Sequence, residues 1–361
     1  DKGETWRDVY EGQEPLTKLY AYPDFNWLDH YFGQIRVDPS DENTVYIFGV
    51  KFLKSTDAGK TFKVLPYPGL HADHHALWID PDNPDYLVNG NDGGLNISYD
   101  GGLTWMNFRS NLPIEQFYSV AVSMEKPFMV YASPQDHGCV RGLVTSRPGE
   151  ELGIQWELAP GGEYTYVAID PRDPNRYYAN NILKAELRDG EWEEETIQPE
   201  DPQGETRLRR QCLAPFMLSP HNPDIVYLAT QFLHRSPDRG KTWETISPDL
   251  TLFNPEQQDD VSFAAIAVFT ESPIKFGLLY TGSDDGKVFV SRDHGNHWTE
   301  IGKDFPFNKH VSRVIASAYD EGTVYVSLNG KRDDDFAAYL YKSTDYGKTW
   351  TDISKGIPLG P

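Results

Sequence analysis

His71, Asp73, His74 and His75 are the densest group of metal-capable side chains in the sequence. On an extended strand His71, Asp73 and His75 would share one face, because side chains alternate with a period of two. Two imidazoles and a carboxylate can hold a divalent cation. The competing account is structural. The segment sits directly before the apolar run Ala76-Leu-Trp-Ile-Asp80, and its polar groups can fix the start of that strand. No second His or Cys cluster lies nearby in sequence to complete a coordination sphere. The structural account is therefore preferred, and neither a metal nor an organic cofactor is expected. Glycosidic hydrolysis is the next chemistry to weigh. It needs two carboxylates about 5 Å apart for retention, or about 6.5–9.5 Å apart for inversion. Asp73, Asp92, Asp136 and Glu163 are the candidates for that pair. Ligand binding is the third chemistry. It would draw on His71, His75, Gln135, Asp136, Glu163, Tyr166, Arg209, Arg210 and His310, which flank short apolar segments.

Those segments recur. Gln34-Ile-Arg-Val-Asp38-Pro39 leads to Val45-Tyr-Ile-Phe48, and Ala76-Leu-Trp-Ile-Asp80-Pro81 leads to Tyr86-Leu-Val88. Further copies lie at Val120-Ala-Val122, Val167-Ala-Ile-Asp170-Pro171, Phe216-Met-Leu-Ser219-Pro220, Ala265-Ile-Ala-Val268 and Val314-Ile-Ala316. The step from Asp38 to Asp80 is 42 residues, and from Asp170 to Ser219 it is 49. That length suits a four-stranded blade with Asp and Pro punctuating the first turn. Seven copies predict an all-β chain, a β-propeller of about seven four-stranded blades. Inner strands line a propeller's channel, so the residues leading into them converge on one face as a polar mouth.

A second element, Ser-x-Asp-x-Gly-x-x-(Trp/Phe), interleaves with the first in five copies. These are Ser55, Asp57 and Gly59; Ser98, Asp100, Gly102 and Trp105; Ser236, Asp238, Gly240 and Trp243; Ser291, Asp293, Gly295 and Trp298; and Ser343, Asp345, Gly347 and Trp350. The Ser and Asp side chains can bond nearby amides, the Gly can take φ > 0, and the ring can anchor the turn. Each box falls where a third strand should turn into a fourth, so it is expected to be a structural staple remote from any ligand. Gly190-Glu-Trp192 reads as a remnant of such a turn, and the acidic run Glu191 to Glu195 reads as a solvated loop. A partial box opens the chain at Asp1-Lys-Gly3-Glu-Thr-Trp6. Residues 1–10 are therefore expected to be the outer strand of an incomplete blade, followed by repeats over 11–361. That arrangement reads as a fragment of a longer repeat array.

Formal net charge is −22, which would repel a polyanion, so nucleic acid is a poor partner. No apolar run approaches the length of a bilayer span. The two cysteines, Cys139 and Cys212, cannot form a disulfide framework and lack zinc spacing; both are expected to be buried or half-buried free thiols. Serine-hydrolase elbows, phosphate loops and His-Glu-x-x-His are absent from the sequence.

The boxes, together with His71-Ala-Asp73-His74-His75, Gly90-Asn-Asp92-Gly93-Gly94, Pro134-Gln135-Asp136-His137-Gly138, Leu218-Ser-Pro220-His221 and Asp333-Asp-Asp-Phe336, resemble the Asp-box (BNR) propeller family. The resemblance is to its bacterial secreted branch, described as sortilin-like or glycosyl-hydrolase-like, and covers nearly the whole chain. It implies a propeller, an extracellular or periplasmic setting, and further blades of the same parent chain as neighbours. The family usually has Gln-Asp-Asn-Gly where this chain has Gln135-Asp136-His137-Gly138. In related xyloglucan-cleaving enzymes the site lies between two propellers. Fold alone implies no reaction. The expected function is a binding module that presents its polar channel mouth to a peptide or glycan. The alternative is part of a glycoside hydrolase, xyloglucanase-like, using two carboxylates on polysaccharide.

Overall fold

A computed structural model of the chain describes residue 5 and residues 33–65, 70–108, 115–145, 154–163, 166–179, 183–200, 208–253, 264–306 and 308–358. The expected outer strand over 1–10, with its partial box, lies outside the described residues apart from Thr5. The described residues form seven four-stranded antiparallel sheets, the blades of an all-β propeller, with one short 3-10 turn, Lys331–Asp333. They fall into two compact units, Asp1–Glu115 and Gln116–Pro361.

The first unit holds two blades. Their strands are Gln34–Val37, Val45–Phe48, Phe52–Ser55 and Lys63–Val64, then His74–Ile79, Leu87–Asn91, Gly94–Ser98 and Met106–Asn107. The second unit holds five. The third blade is Phe117–Val122, Met129–Pro134, Val140–Val144 and Ile154–Leu158; the fourth is Ala168–Ile169, Arg176–Ala179, Leu183–Arg188 and Glu191–Thr196. The fifth is Phe216–Leu218, Val226–Ala229, Leu233–Ser236 and Glu244–Thr245; the sixth is Ile266–Glu271, Leu279–Ser283, Val288–Ser291 and Thr299–Glu300. The seventh is His310–Ala316, Val324–Gly330, Asp335–Ser343 and Thr351–Asp352.

The acidic run Glu191 to Glu195 is therefore a strand rather than a loop. An outermost strand has a free edge, and its mostly exposed glutamates keep that edge from pairing with another chain. The turn before it, Asp189 and Gly190 at positive φ, is the hairpin that Gly190-Glu-Trp192 foretold.

Core packing lies between adjacent blades. A tyrosine on the second strand is fully buried in five of the seven: Tyr46, Tyr131, Tyr177, Tyr227 and Tyr280. Within the first unit Tyr46, Phe48 and Phe52 pack on Leu77, Ile79 and Leu87 of the next blade. Within the second, Tyr280 and Val288 of the sixth blade pack on Val311, Val314 and Val326 of the seventh. The first turns are closed as the Asp-Pro and Ser-Pro spacing implies. Asp38, Asp80 and Asp170 accept the amides of Ser40, Asp82 and Arg172, and Ser219 and Ser317 accept those of His221 and Tyr319.

The Asp-boxes do more than turn a hairpin. In the first blade Gly59 N donates to Ser55 Oγ at 2.9 Å, and Thr61 donates to Asp57 through its amide at 2.8 Å and its hydroxyl at 2.6 Å. Four later boxes repeat this pattern, the sixth blade substituting His297 for threonine. From the second copy onward the box glycine lies flat against the residue just after the preceding blade's outer strand. The pairs are Gly102 on Leu65, Gly240 on Ile197, Gly295 on Ile246 and Gly347 on Ile301. The indoles of Trp298 and Trp350 donate to the carbonyls of Ile246 and Ile301, both at 2.8 Å. The box is thus an inter-blade clamp.

Four inner strands carry a β-bulge that leaves one extra residue: His75, Tyr118, Ala267 and Ser312. A bulge re-aims the side chains beside it, and here all four sit at the start of the inner strand, where the mouth residues were expected.

Candidate functional site

In the first unit the histidine cluster does not form the alternating face. The strand begins only at His74, Asp73 is in the left-handed region at φ 59°, and the bulge falls at His75. His71 Nδ1 lies 3.1 Å from Ala72 O, and His75 Nε2 lies 2.7 Å from Asp92 Oδ1. His74 is buried with Nδ1 3.0 Å from Asn89 Oδ1, and burial lowers its pKa to about 4. The cluster pins the start of the second blade's inner strand to the Asn91-Asp92-Gly93 turn, since Asp92 N donates to Asp73 O at 3.3 Å and Asn91 Nδ2 donates to His71 O at 3.0 Å.

In the second unit the corresponding segments lie at the starts of five inner strands. Gln135 N donates to Gln116 O, and Asp136, left-handed at φ 58°, donates its amide to Glu163 Oε2 at 2.8 Å. Those two sequence candidates are therefore brought together, with a Glu163 oxygen committed to the backbone of the Asp136 turn.

Arg209 is locked from several sides. Its amide bonds Gln231 Oε1, its Nε bonds Ala264 O, its Nη2 lies 2.5 Å from Asp249 Oδ2, and its guanidinium sits 4.2 Å above the Phe253 ring. Arg210 is the opposite case. Desolvation alone pulls its pKa below the ordinary arginine value, and among the described residues no carboxylate pairs with it. Next to it, Gln211 Nε2 donates to Asp284 Oδ2 at 2.5 Å, joining the fifth blade to the sixth. Farther along, Lys309 pairs with Asp333 at 3.0 Å and Asp335 at 3.2 Å. His310 is held to a pKa of about 4, first by burial and then by Arg332 and Arg313, so it is neutral at pH 7. Tyr166 sets its ring edge-on to Phe216 at 6.5 Å.

Asp284 was not among the sequence candidates. It is 2 % exposed, and burial, with Asp285 beside it, raises its pKa to about 6; Ala265 N also donates to it at 3.0 Å. Asp285 accepts the amides of Leu252 and Phe253. The signal was the position of Ser283-Asp284-Asp285-Gly286, which falls in the same second-to-third-strand turn as Asn91-Asp92-Gly93 and Gln135-Asp136. Each cysteine is a free thiol; Cys139 is buried and raised to about 11 by burial, whereas Cys212 is exposed, contrary to expectation, because it lies in the turn between Gln211 and the inner strand.

Asp284 has a measurable consequence. Its native pKa lies above the unfolded value near 3.8, so the native state binds more protons between about pH 4 and about pH 6. The stability this lends is present below that window and lost as pH rises through it. Asp284→Asn should therefore gain stability relative to the parent as pH rises from 4 to 6, read from urea midpoints at each pH. His74 and His310 act in the opposite sense, since both are depressed from 6.5 to about 4 and cost stability as pH falls. Only the difference between variant and parent isolates the carboxyl.

Seven four-stranded blades, five of them closed by Asp-boxes, define an Asp-box β-propeller. The Sortilin-Vps10 family model (sortilin, neurotensin receptor 3) matches residues 231–358, the stretch that holds the last three boxes. The chain is similar to vacuolar protein sorting/targeting protein 10 from Colletotrichum graminicola, 27 % identical over 130 residues, covering 33 % of this chain and 8 % of that protein. It thus spans less than a tenth of that relative's length. Among solved structures it is similar to an ancestral GH74 enzyme, with 16 % identity, 89 % of this chain and 37 % of that one covered, and a TM-score of 0.34. It is also similar to YCF48 from Cyanidioschyzon merolae, with 12 % identity, 82 % and 91 % covered, and a TM-score of 0.38. No helix among the described residues is long and apolar enough to cross a membrane.

Proposed function

We propose that the chain is a ligand-binding module working in an extracellular or periplasmic setting, and that the starts of the inner strands in its second unit hold a peptide or glycan through an anionic group. One observation carries this reading: Arg210 is a half-buried cation with no carboxylate partner among the described residues, set among neighbours that are already satisfied. A guanidinium in that state gains most from a carboxylate or sulfate that restores its lost hydration. The carboxylates at the inner-strand starts of this unit argue against hydrolysis as the first reading. Glu163 accepts the Asp136 amide, Asp284 accepts from Gln211 and Ala265, and Asp285 accepts two backbone amides. Asp284 has the raised pKa a general acid needs, but both its oxygens are spent on structural bonds. The match of the Sortilin-Vps10 model over 231–358 supports a receptor-like role.

The test is a glycan and peptide binding screen on the intact protein, repeated with Asp136→Ala and Glu163→Ala. Acidic ligands should dominate the hits, and both variants should weaken them by loosening the Asp136 turn. Hits that are uniformly neutral, or that bind both variants like the parent, would move the site elsewhere.

A further inference from the structure

A recess separate from the Arg210 region lies on the inner strands of the same unit. It has a volume of about 160 Å³ and is lined by Tyr166, Phe216, Met217, Val268, Phe269 and Arg313. These come from four successive blades: Tyr166 precedes Ala168–Ile169, and the others lie on Phe216–Leu218, Ile266–Glu271 and His310–Ala316. The two bulges help to build it, because Val268 directly follows the extra residue Ala267 and Arg313 directly follows Ser312. The lining side chains are apolar except for the tyrosine hydroxyl and the guanidinium. An apolar cavity of about 150 Å³ is large enough to take a benzene ring. Arg313 is exposed; Nη1 donates to Ser312 O at 2.7 Å, and among the described residues no carboxylate pairs with it.

We propose that this recess binds a small apolar monocarboxylate as a free ligand, with its ring or branched chain against Met217, Val268 and Phe269 and its carboxylate on Arg313. Apolar lining selects the ring, and the single guanidinium selects one negative charge. A sugar would leave most of its hydroxyls unpaired against such a wall. A dianion would bring a second charge with no second cation among the lining residues, since Arg313 is the single basic side chain there. The recess draws on Arg313 and not on Arg210, so it stands or falls independently of the peptide or glycan reading.

The experiment is a titration of the full chain, followed by calorimetry or saturation-transfer NMR, with phenylacetate, benzyl alcohol and acetate. Phenylacetate should bind about threefold tighter than benzyl alcohol, the modest factor an exposed ion pair adds. Acetate should not bind. Arg313→Met should bring phenylacetate down to the level of benzyl alcohol, and Val268→Trp should abolish both by filling the recess. Arg313 is exposed, so its variant keeps the test sound even if Val268→Trp fails to fold. The inference is overturned if phenylacetate does not bind, if Arg313→Met binds it like the parent, or if Arg210→Met alone removes it. It is equally overturned if peptides ending in phenylalanine bind at this recess while phenylacetate does not.

Discussion

Glu271→Ala should lower the unfolding free energy by about 3–5 kcal/mol, because the several donors to a buried carboxyl group are stranded together. Glu271 is 2 % exposed at the end of the sixth blade's inner strand, and its carboxylate is met by donors instead of a cation. Ser219 Oγ donates to it at 2.6 Å and Tyr227 OH at 3.2 Å, both from the fifth blade, while Gly277 N donates at 2.9 Å from the sixth. Each of these would be left buried and unpaired by alanine, at about 1–3 kcal/mol apiece before relaxation. Glu271→Gln keeps one acceptor oxygen and should recover part of the loss. Urea denaturation followed by tryptophan fluorescence reads both. An alanine variant within about 1 kcal/mol of the parent would mean that water satisfies the three donors after the truncation.

Gly295→Ala should cost about 3 kcal/mol, from two sources that act together. The glycine sits at φ +92°, where any side chain is strained, and an added Cβ would lie 2.6 Å from Ile246 O on the preceding blade. That carbonyl also accepts the Trp298 indole, so pushing it away loosens the whole clamp. Gly190 is the matched control. It has φ +86° but nothing within 4 Å of a built Cβ, so Gly190→Ala should show the backbone strain alone, about 1 kcal/mol. The comparison of urea midpoints separates a hairpin from an inter-blade clamp. Equal losses at the two positions would reduce the box to a turn.

Much of the fold was legible because both of its devices repeat. Asp80 and Ser219 mark the same first turn in blades that share little else, and the box spacing located the third-to-fourth-strand hairpins without reference to any contact. What Gly295 touches was not legible. Its partner Ile246 is 49 residues away and belongs to another repeat, so local turn chemistry cannot reveal it. The outer strand Glu191–Thr196 was hidden for a different reason: an exposed edge strand carries no alternating apolar pattern to read.

The placement of the candidate residues at the starts of inner strands was legible in the sequence, and their bonding was not. Segments leading into the inner strands do carry the unusual polar groups, as repeat geometry required. Periodicity failed at His71 and Asp73 because one left-handed residue and one bulge break the alternation, and neither has a sequence signature. Arg209 and Arg210 are neighbours of the same type, yet one is bonded from several sides and the other has no carboxylate partner among the described residues. That difference depends on Asp249, Phe253 and Ala264, which come from chain far along the sequence. Asp284 was overlooked because Ser-Asp-Asp-Gly reads as an ordinary exposed turn, whereas the fold buries it beneath Gln211.

The most direct measurement is a calorimetric titration of the strongest acidic ligand from the screen into the parent and into Arg210→Met, at low and at physiological salt. Binding through a desolvated guanidinium should weaken about tenfold or more in the variant, a loss of about 1.4 kcal/mol, and should lose most of its salt dependence. Unchanged affinity and an unchanged salt response in Arg210→Met would contradict the account.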